Sequence, residues 1–524
     1  MARPQRSTPS ALAAAPRPAR TLGSVTVAAL GLTTTLAAAL TAGLASSTAH
    51  ASGIAVARFG GEHGHPTTDN PTAIYYNPAG IALRPGRFRL FVDGSLAGRW
   101  ASYTRPESAI TSNGTGTPEG AADTNAGTAK VANALFSPFI GATSDFGTKF
   151  FTAGAALYFP FGGQAVWNQN TKYSAGDLAK QYPGANDGVQ RWHTIDGKVR
   201  SMYVTGAIAF NIHQIGLSIG ATGSAIRSEV DTIRARNPDG SDDLVDSDGN
   251  LKEGRSWLHA KGWQGSFSVG AIWNWRSKLW IGGSYTAQPN VVGGMTLQGN
   301  LVNVFPTAPP STTPVDFTQT LPDIIRLGFR VRPTERVELR LFADYTRWSV
   351  FDKQCILDRG VEGRRCDPIN ADKATTDPGS YGYAPEDASD AEKADAQERI
   401  TGVTQMLPRF WKDAGGVRAG ASYWFIPNVE GFLGVGYDSS AVRPQTLDAA
   451  LLDLHKMSVS VGARWQIVRQ FAIALTVSDI AYFKKDTKGQ NVLGGFKGIS
   501  GQPSGDGIYK QNILLGNLYM DVHF

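Results

Sequence analysis

The chain has 524 residues, of which only 18% are charged while 10% are aromatic, and its mean hydropathy is −0.19. That many aromatics exclude a disordered chain, so little charge argues against an ordinary soluble domain, and a helical membrane protein would be far more apolar. The net charge of +6 falls to +2 once Arg3, Arg6, Arg17 and Arg20 are set aside, and no basic stripe remains to bind nucleic acid.

Those four arginines precede an apolar stretch from Val25 to Ala45, and Ala49-His50-Ala51 places small residues at the −3 and −1 positions of a cleavage site. Residues 1–51 therefore read as a secretory signal, with cleavage expected after Ala51. Beyond Ala51 no run of 18 apolar residues exists, which excludes helical spans. Export also puts Cys355 and Cys366 in an oxidising compartment, and a disulfide between them is expected in the longest outer loop.

After the signal, residues 52–85 are rich in Gly, Pro and Asn and lack alternation. A first strand is expected near Arg87–Tyr103. From there the dominant pattern has a period of two: Ile325, Leu327, Phe329 and Val331 against Arg326, Gly328 and Arg330, and Met457, Val459, Val461 and Ala463 against Ser458, Ser460 and Gly462. At the C-terminus Leu514, Leu518, Met520 and Val522 oppose Asn517, Tyr519 and Asp521. Alternation alone fits a sandwich as well as a barrel.

The connections discriminate between the two. Short turns at Asp145–Thr148, Asn211–Gln214, Arg276–Lys278, Pro333–Glu335, Pro427–Val429 and Val468–Gln470 alternate with long polar stretches. The long ones run 106–130, 162–197, 237–257, 291–319, 352–410, 440–454 and 485–507. Six tight turns between seven long loops predict an all-β, antiparallel transmembrane barrel of 14 strands over residues 86–524. A barrel of that size has an open lumen unless plugged, and residues 52–85 are the expected plug, or hatch.

Within that plug, Asp69-Asn70-Pro71-Thr72-Ala73-Ile74-Tyr75-Tyr76 runs into Asn77-Pro78-Ala79-Gly80. An aromatic pair followed by Asn-Pro-Ala-Gly just before the first strand resembles the hatch of the FadL/TodX-type outer-membrane transporters. Leu321-Pro322-Asp323, Asp344-Tyr345-Thr346-Arg347-Trp348-Ser349 and Tyr437-Asp438-Ser439-Ser440-Ala441-Val442 are similar to stretches of the same family, which usually has Pro at the place of Ala441. The resemblance implies a monomeric outer-membrane protein for passive uptake of a hydrophobic molecule, most naturally a long-chain fatty acid or an aromatic hydrocarbon. It also implies contact with outer-membrane lipid and lipopolysaccharide, and delivery by the assembly machinery through the terminal Phe524. A sideways exit through a kinked third strand is implied at Pro160, Gly162 and Gly163, where Pro and Gly weaken ladder pairing; a simple strand end is the alternative there. Trp257, Trp263, Phe305 and the 306–314 stretch are expected to gather ligand at the surface.

The remaining constellations carry less. Arg326, Arg330, Arg340 and Arg464 point into the lumen and can meet a ligand carboxylate or pair with Glu338 and Asp344. Glu62-His63-Gly64-His65 has too few fixed ligands for a metal site, and the acidic loop 239–253 has Leu251 where a calcium loop needs Gly. No cofactor is expected. His193, His259 and His455 lie near outer rims without a nucleophile motif, so an outer-membrane lipase is a distant alternative. A general diffusion porin is the nearer one.

Overall fold

The computed structural model describes residues 58–84, 86–111, 122–496 and 498–524, so the signal segment and its cleavage site lie outside the described residues. The strands are β1 Arg89–Arg105, β2 Gly127–Ser144, β3 Phe151–Val166, β4 Asp196–Ile212, β5 Leu217–Arg236, β6 Gly254–Trp275 and β7 Leu279–Thr286, then β8 Gly294–Phe305, β9 Ala308–Thr320, β10 Ile324–Thr334, β11 Val337–Thr346, β12 Lys353–Asp358 and β13 Val403–Pro408. They continue as β14 Ala414–Ile426, β15 Val429–Asp438, β16 Lys456–Val468, β17 Phe471–Tyr482, β18 Lys485–Asp486 and β19 Ile508–His523.

Fourteen of these close an antiparallel barrel: β1 to β7, β10, β11, β14 to β17, and β19, which returns to β1 from Arg89↔His523 to Thr104↔Ile508. Closure leaves no edge, the condition for a sheet in lipid, where unpaired backbone groups cost several kcal/mol each. The two-residue period is inside-out: Leu327 is 55% exposed on the outer wall while neighbouring Arg326 is 5% exposed in the lumen. The same holds for Val459 outside against Ser458 and Ser460 inside. All six short turns join barrel neighbours. In the three-residue connection from β6 to β7 Arg276 and Ser277 both have positive φ, 52° and 53°, and Lys278 N donates back to Trp275 O at 3.0 Å.

Three expectations are corrected. β1 runs two residues later than predicted, because its ladder begins where Arg89 meets His523. The stretches 291–319 and 352–410 are not plain loops: they contain β8, β9, β12 and β13, an outer sheet built on β6. The lower half of β6, Ser268–Trp275, pairs with β7, whereas Arg255–Lys261 pairs with β8, and β8–β9–β12–β13 follow in turn. β6 is 22 residues long, about twice what a tilted strand needs to cross a bilayer, so its upper half is free to seed that sheet. Finally, β3 does not end at Phe159–Gly163. It continues to Val166, because the backbone stays extended and re-pairs with β4 at Phe161↔Ser201 after a bulge.

Two apolar cores result. The lower one joins the hatch to the wall through Phe59, Ile74, Tyr75, Phe91, Phe139 and Tyr158. The upper one gathers Leu258, Leu297, Phe317, Phe351, Ile356 and Tyr509 beneath the outer sheet. Cys355 of β12 and Cys366 are joined by a disulfide, with their Cα atoms 6.5 Å apart, in a third cluster with Tyr381, Met406 and Phe496.

Candidate functional site

Three features meet along the barrel axis: a hatch, a cavity above it and an interruption of the wall beside that cavity. The hatch is short turns rather than a packed domain, with helical turns at Ala73–Tyr76 and Pro78–Ala82 separated by Asn77 in an extended conformation. Pro78 imposes that conformation, since a residue before proline is disfavoured in the helical region. Asn77, 0% exposed, then serves both sides of the break. Its Oδ1 accepts from Ala79 N at 3.2 Å, and its Nδ2 donates to the carbonyls of Pro66 (2.9 Å), Ala271 (3.1 Å) and Gly283 (3.2 Å). One side chain thus ties the hatch to itself, to β6 and to β7. Wall glycines make the approach feasible: a Cβ at Gly270 would lie 2.1 Å from Asn77 Oδ1, and one at Gly220 2.6 Å from Ala79 N.

Around the rest of the ring the hatch is held by polar contacts. Gly60 N donates to Asp93 of β1, and Asn517 of β19 donates to Arg58 O. Ser284 of β7 donates to Tyr76 O, and Asn211 of β4 to Ala82 O. His63 bonds Glu430 at 3.0 Å and Tyr519 at 2.8 Å, while His65 turns to Thr67 and Phe342, so the two histidines do not converge. The four predicted lumen arginines lie at this level too. Arg330 pairs with Asp69 at 3.5 Å, Arg340 with Glu338 at 3.5 Å, and Arg464 donates to Gln466. Arg326 donates to Thr286 and lies 4.7 Å over the Tyr75 ring, and Asp344 pairs instead with Arg418. None of the four lines the cavity.

The cavity, of about 110 Å³, sits in the upper core. Its walls are apolar, with Val230, Leu258, Met295, Leu297, Phe317 and Ile356 from five different strands. Its polar end has His193, Arg234, Gln405, Arg409 and Gln502. Arg409 is neutralised by Asp448 at 2.8 Å. Arg234, 5% exposed, donates only to the carbonyls of Trp192, Ser500 and Gly501, and among the described residues no carboxylate lies within ion-pair distance of it. Burial, with Arg105 and Arg234 nearby, lowers the pKa of His193 to about 4 and so keeps its ring neutral, although Asp448 pulls the other way. The result is a pocket with a mostly apolar wall and, at its polar end, the buried cation Arg234; Lys198 also lines it. Trp257 and Trp263, expected to gather ligand at the surface, are exposed on the outer face of β6, while Ser256 and Leu258 line the cavity.

The wall beside the cavity is incomplete. β2 and β3 pair only over Phe139–Ser144 with Ala153–Tyr158, although both strands run on by eight or more residues. The break coincides with the bulge at Phe159–Pro160. Pro160 has no N–H to donate to a ladder. Above it, side chains bridge what the backbone does not: Ser137 Oγ donates to Phe159 O, and Asn133 Nδ2 to Gln164 O, each at 3.0 Å. Gly163 and Ala165 of this stretch line the cavity, so pocket and gap share a wall.

Elsewhere the acidic loop is internally satisfied. Lys252 bonds Asp239 at 2.5 Å and Asp243 at 3.5 Å, and Arg105 pairs with Asp242 at 2.6 Å. His259 bonds Asp231 on the outer wall and His455 bonds Tyr437, far from His193. Sequence reading missed Arg234, Arg409 and His193 as cavity residues. For Arg234 the signal was present, since it falls on the inward face of an alternating strand; His193 and Arg409 come from connections with no periodicity to place them.

The family described as outer membrane protein transport protein (OMPP1/FadL/TodX) matches residues 31–505. Among solved structures, a Pseudomonas aeruginosa FadL homologue superposes with a TM-score of 0.66 at 15% identity, covering 90% of this chain and 100% of its own. The Ralstonia pickettii toluene transporter TbuX gives 0.55 at 12% identity, and the Pseudomonas putida toluene transporter TodX gives 0.55 at 12%, each covering 91% of this chain and 99% of its own. No curated protein sequence matches significantly. At these identities the superpositions establish the fold.

Proposed function

We propose, for a chain that belongs to the OMPP1/FadL/TodX family of outer membrane transport proteins, passive uptake of long-chain fatty acids through the plugged barrel. The observation that carries the substrate class is the cavity itself, a mostly apolar pocket ending at Arg234, which has no described carboxylate within ion-pair distance. A buried cation is stabilised by an anionic partner, and each buried methylene of a tail adds roughly 0.8 kcal/mol. An aromatic hydrocarbon would use the pocket but leave the cation unanswered. A general porin is disfavoured because the hatch is bonded to strands all round the ring.

In this reading the outer sheet admits the ligand, the cavity binds it, and the β2–β3 gap at Pro160, Gly162 and Gly163 releases it sideways. Asn77, Pro78, Ala79 and Gly80 hold the hatch closed below. Residues 1–51 are the export signal, 52–85 the hatch and 86–524 the barrel, which closes on itself and acts as a monomer among outer-membrane lipid and lipopolysaccharide. Phe524, 69% exposed, is the signal for the assembly machinery.

Uptake of radiolabelled oleate, toluene and a small sugar by cells with and without the protein tests this. Loss of oleate uptake alone supports it. Loss of toluene uptake alone assigns an aromatic substrate. Unchanged oleate and toluene uptake with exclusion of the sugar means a porin.

A further inference from the structure

The outward face of β4, β5 and β6 is apolar up to the level where the outer sheet branches off, and there it changes abruptly. Its lower positions include Val204, Ile208, Ile219, Phe267 and Val269, all exposed. From Val204 down to the end of β4 at Ile212 the strand is about as long as a tilted strand needs to cross the hydrocarbon. Charge begins on the next outward rung, where Arg227 is opposite Trp263. The rung above runs across four strands: Arg200 of β4 opposite Glu229 of β5, Glu229 opposite Lys261 of β6, and Lys261 opposite Gln298 of β8. A further rung places Asp231 opposite His259, and His259 opposite Asn300. Directly opposed residues share a face of the sheet. Their inward neighbours Ser228, Val230 and Ala260 are buried, so these rungs lie on the outer face.

Within the patch the acids are engaged and two cations are not. Glu229 pairs with Arg200 at 3.6 Å, and Asp231 with His259 at 3.2 Å while accepting from Trp257 Nε1 at 2.7 Å. Arg227 lies 5.4 Å over the exposed ring of Trp263, and among the described residues neither it nor Lys261 makes an ion pair. Glu229, Asp231 and His259 offer ligand atoms within 4.8 Å of one another, but Arg200 and Lys261 flank Glu229 and oppose a divalent ion there. Cations at the top of an apolar band suit a phosphate, which a guanidinium grips bidentately. A bare phosphate gains nothing from Glu229 and Asp231, whereas sugar hydroxyls donate to carboxylates and to the amide oxygens of Gln298 and Asn300. Trp257 and Trp263 add exposed indoles at the level where such rings are favoured. The apolar wall below takes acyl chains.

We propose that this patch binds a phosphorylated glycolipid of the outer leaflet, with Arg227 and Lys261 on a phosphate, the acids and amides on the sugar, and the acyl chains along β4 to β6. The site gives the lipopolysaccharide contact of the reading above a fixed place. It rests on the outer-membrane location in that reading and not on the substrate.

The full-length protein is expressed in a Gram-negative host, and membrane fractionation establishes its location. Purified in detergent, it is titrated with diphosphorylated lipid A, dephosphorylated lipid A and phosphatidylglycerol, and bound lipid is read by native mass spectrometry. Wild type should hold diphosphorylated lipid A more tightly than either comparison lipid. Arg227→Gln combined with Lys261→Gln should weaken that binding about tenfold, the loss of two partly exposed charge-assisted contacts, and leave phosphatidylglycerol binding as it was. Lys484→Gln combined with Lys510→Gln removes two exposed cations elsewhere and should change nothing. Heat-modifiable migration on a gel verifies folded barrels, and each single substitution replaces a pair that does not fold. Equal weakening by the control pair, equal affinity for phosphatidylglycerol, or no change in the Arg227 and Lys261 variant overturns the site. So does lipid A binding that EDTA abolishes in wild type and in that variant alike, which assigns a divalent ion to Glu229, Asp231 and His259 instead. Wild type absent from the outer membrane overturns location and site together; wild type present there without lipid A binding overturns the site alone.

Discussion

Replacing Asn77 by Ala removes the side chain that joins the two turns of the hatch to each other and to the wall. Four contacts are lost: one accepted from Ala79 N and three donated to Pro66, Ala271 and Gly283 carbonyls. Two protons serve three acceptors, so these count as about three independent bonds, each worth about 1 kcal/mol net in a buried setting. The docked hatch should therefore be weakened by about 3 kcal/mol, about a hundredfold in the ratio of docked to displaced forms. The barrel should still assemble, because its ladder closes without the hatch. Hydrogen exchange of the detergent-purified protein reads this directly. The amides of Gly80 and Leu83, bonded within the hatch to Asn77 O and Gly80 O, should exchange about a hundredfold faster, while those of β16 and β17 keep their protection. Unchanged protection at Gly80 and Leu83 would refute the reasoning.

Acidification should destabilise the region around the cavity. His193 has its pKa lowered from 6.5 to about 4, so between those values the unfolded state binds the proton and the folded state does not. Stability is then complete above pH 6.5 and falls by about 3 kcal/mol on the way down to pH 4; His193→Asn should flatten that part of a melting-temperature profile against pH, and an identical profile in the variant would rule the histidine out. Reduction of Cys355–Cys366, which are 11 residues apart, should cost the outer loop about 3 kcal/mol in the chain-entropy picture and leave the barrel intact. Limited proteolysis with and without reductant should show new cleavage confined to 353–410, and two reactive thiols in the unreduced, denatured protein would contradict the bond. Pro160→Ala restores a backbone donor at the break in β3 and should slow oleate uptake severalfold by favouring a closed ladder; an undiminished rate in a correctly folded variant would place the exit elsewhere.

The local chemistry of the chain was enough to specify the barrel. A period of two needs no knowledge of neighbours, and the sorting of turns by length follows from one rim facing the periplasm and the other the exterior. Fourteen staves, the inward Arg326, Arg330 and Arg340 and the Asn77–Pro78 break were therefore legible. The outer sheet was not. Ala308–Thr320 has two prolines in succession and no alternation, and it becomes a strand only because β8, seeded on the upper half of β6, offers it a ladder.

The same limit governs the charged groups. Alternation tells which way Arg330 points, but its partner Asp69 is 261 residues away, and only the folded hatch brings them within 3.5 Å. Arg234 and Arg326 alternate inward as well, yet among the described residues neither has a carboxylate within ion-pair distance. The gap in the wall is likewise invisible in β2, whose pattern continues through Gly127–Pro138, because what is missing there is the ladder on the other side. Side-chain direction is a property of a residue and its strand. Compensation of a charge, and completion of a sheet, are properties of pairs, and pairs far apart in the chain exist only once the barrel has closed.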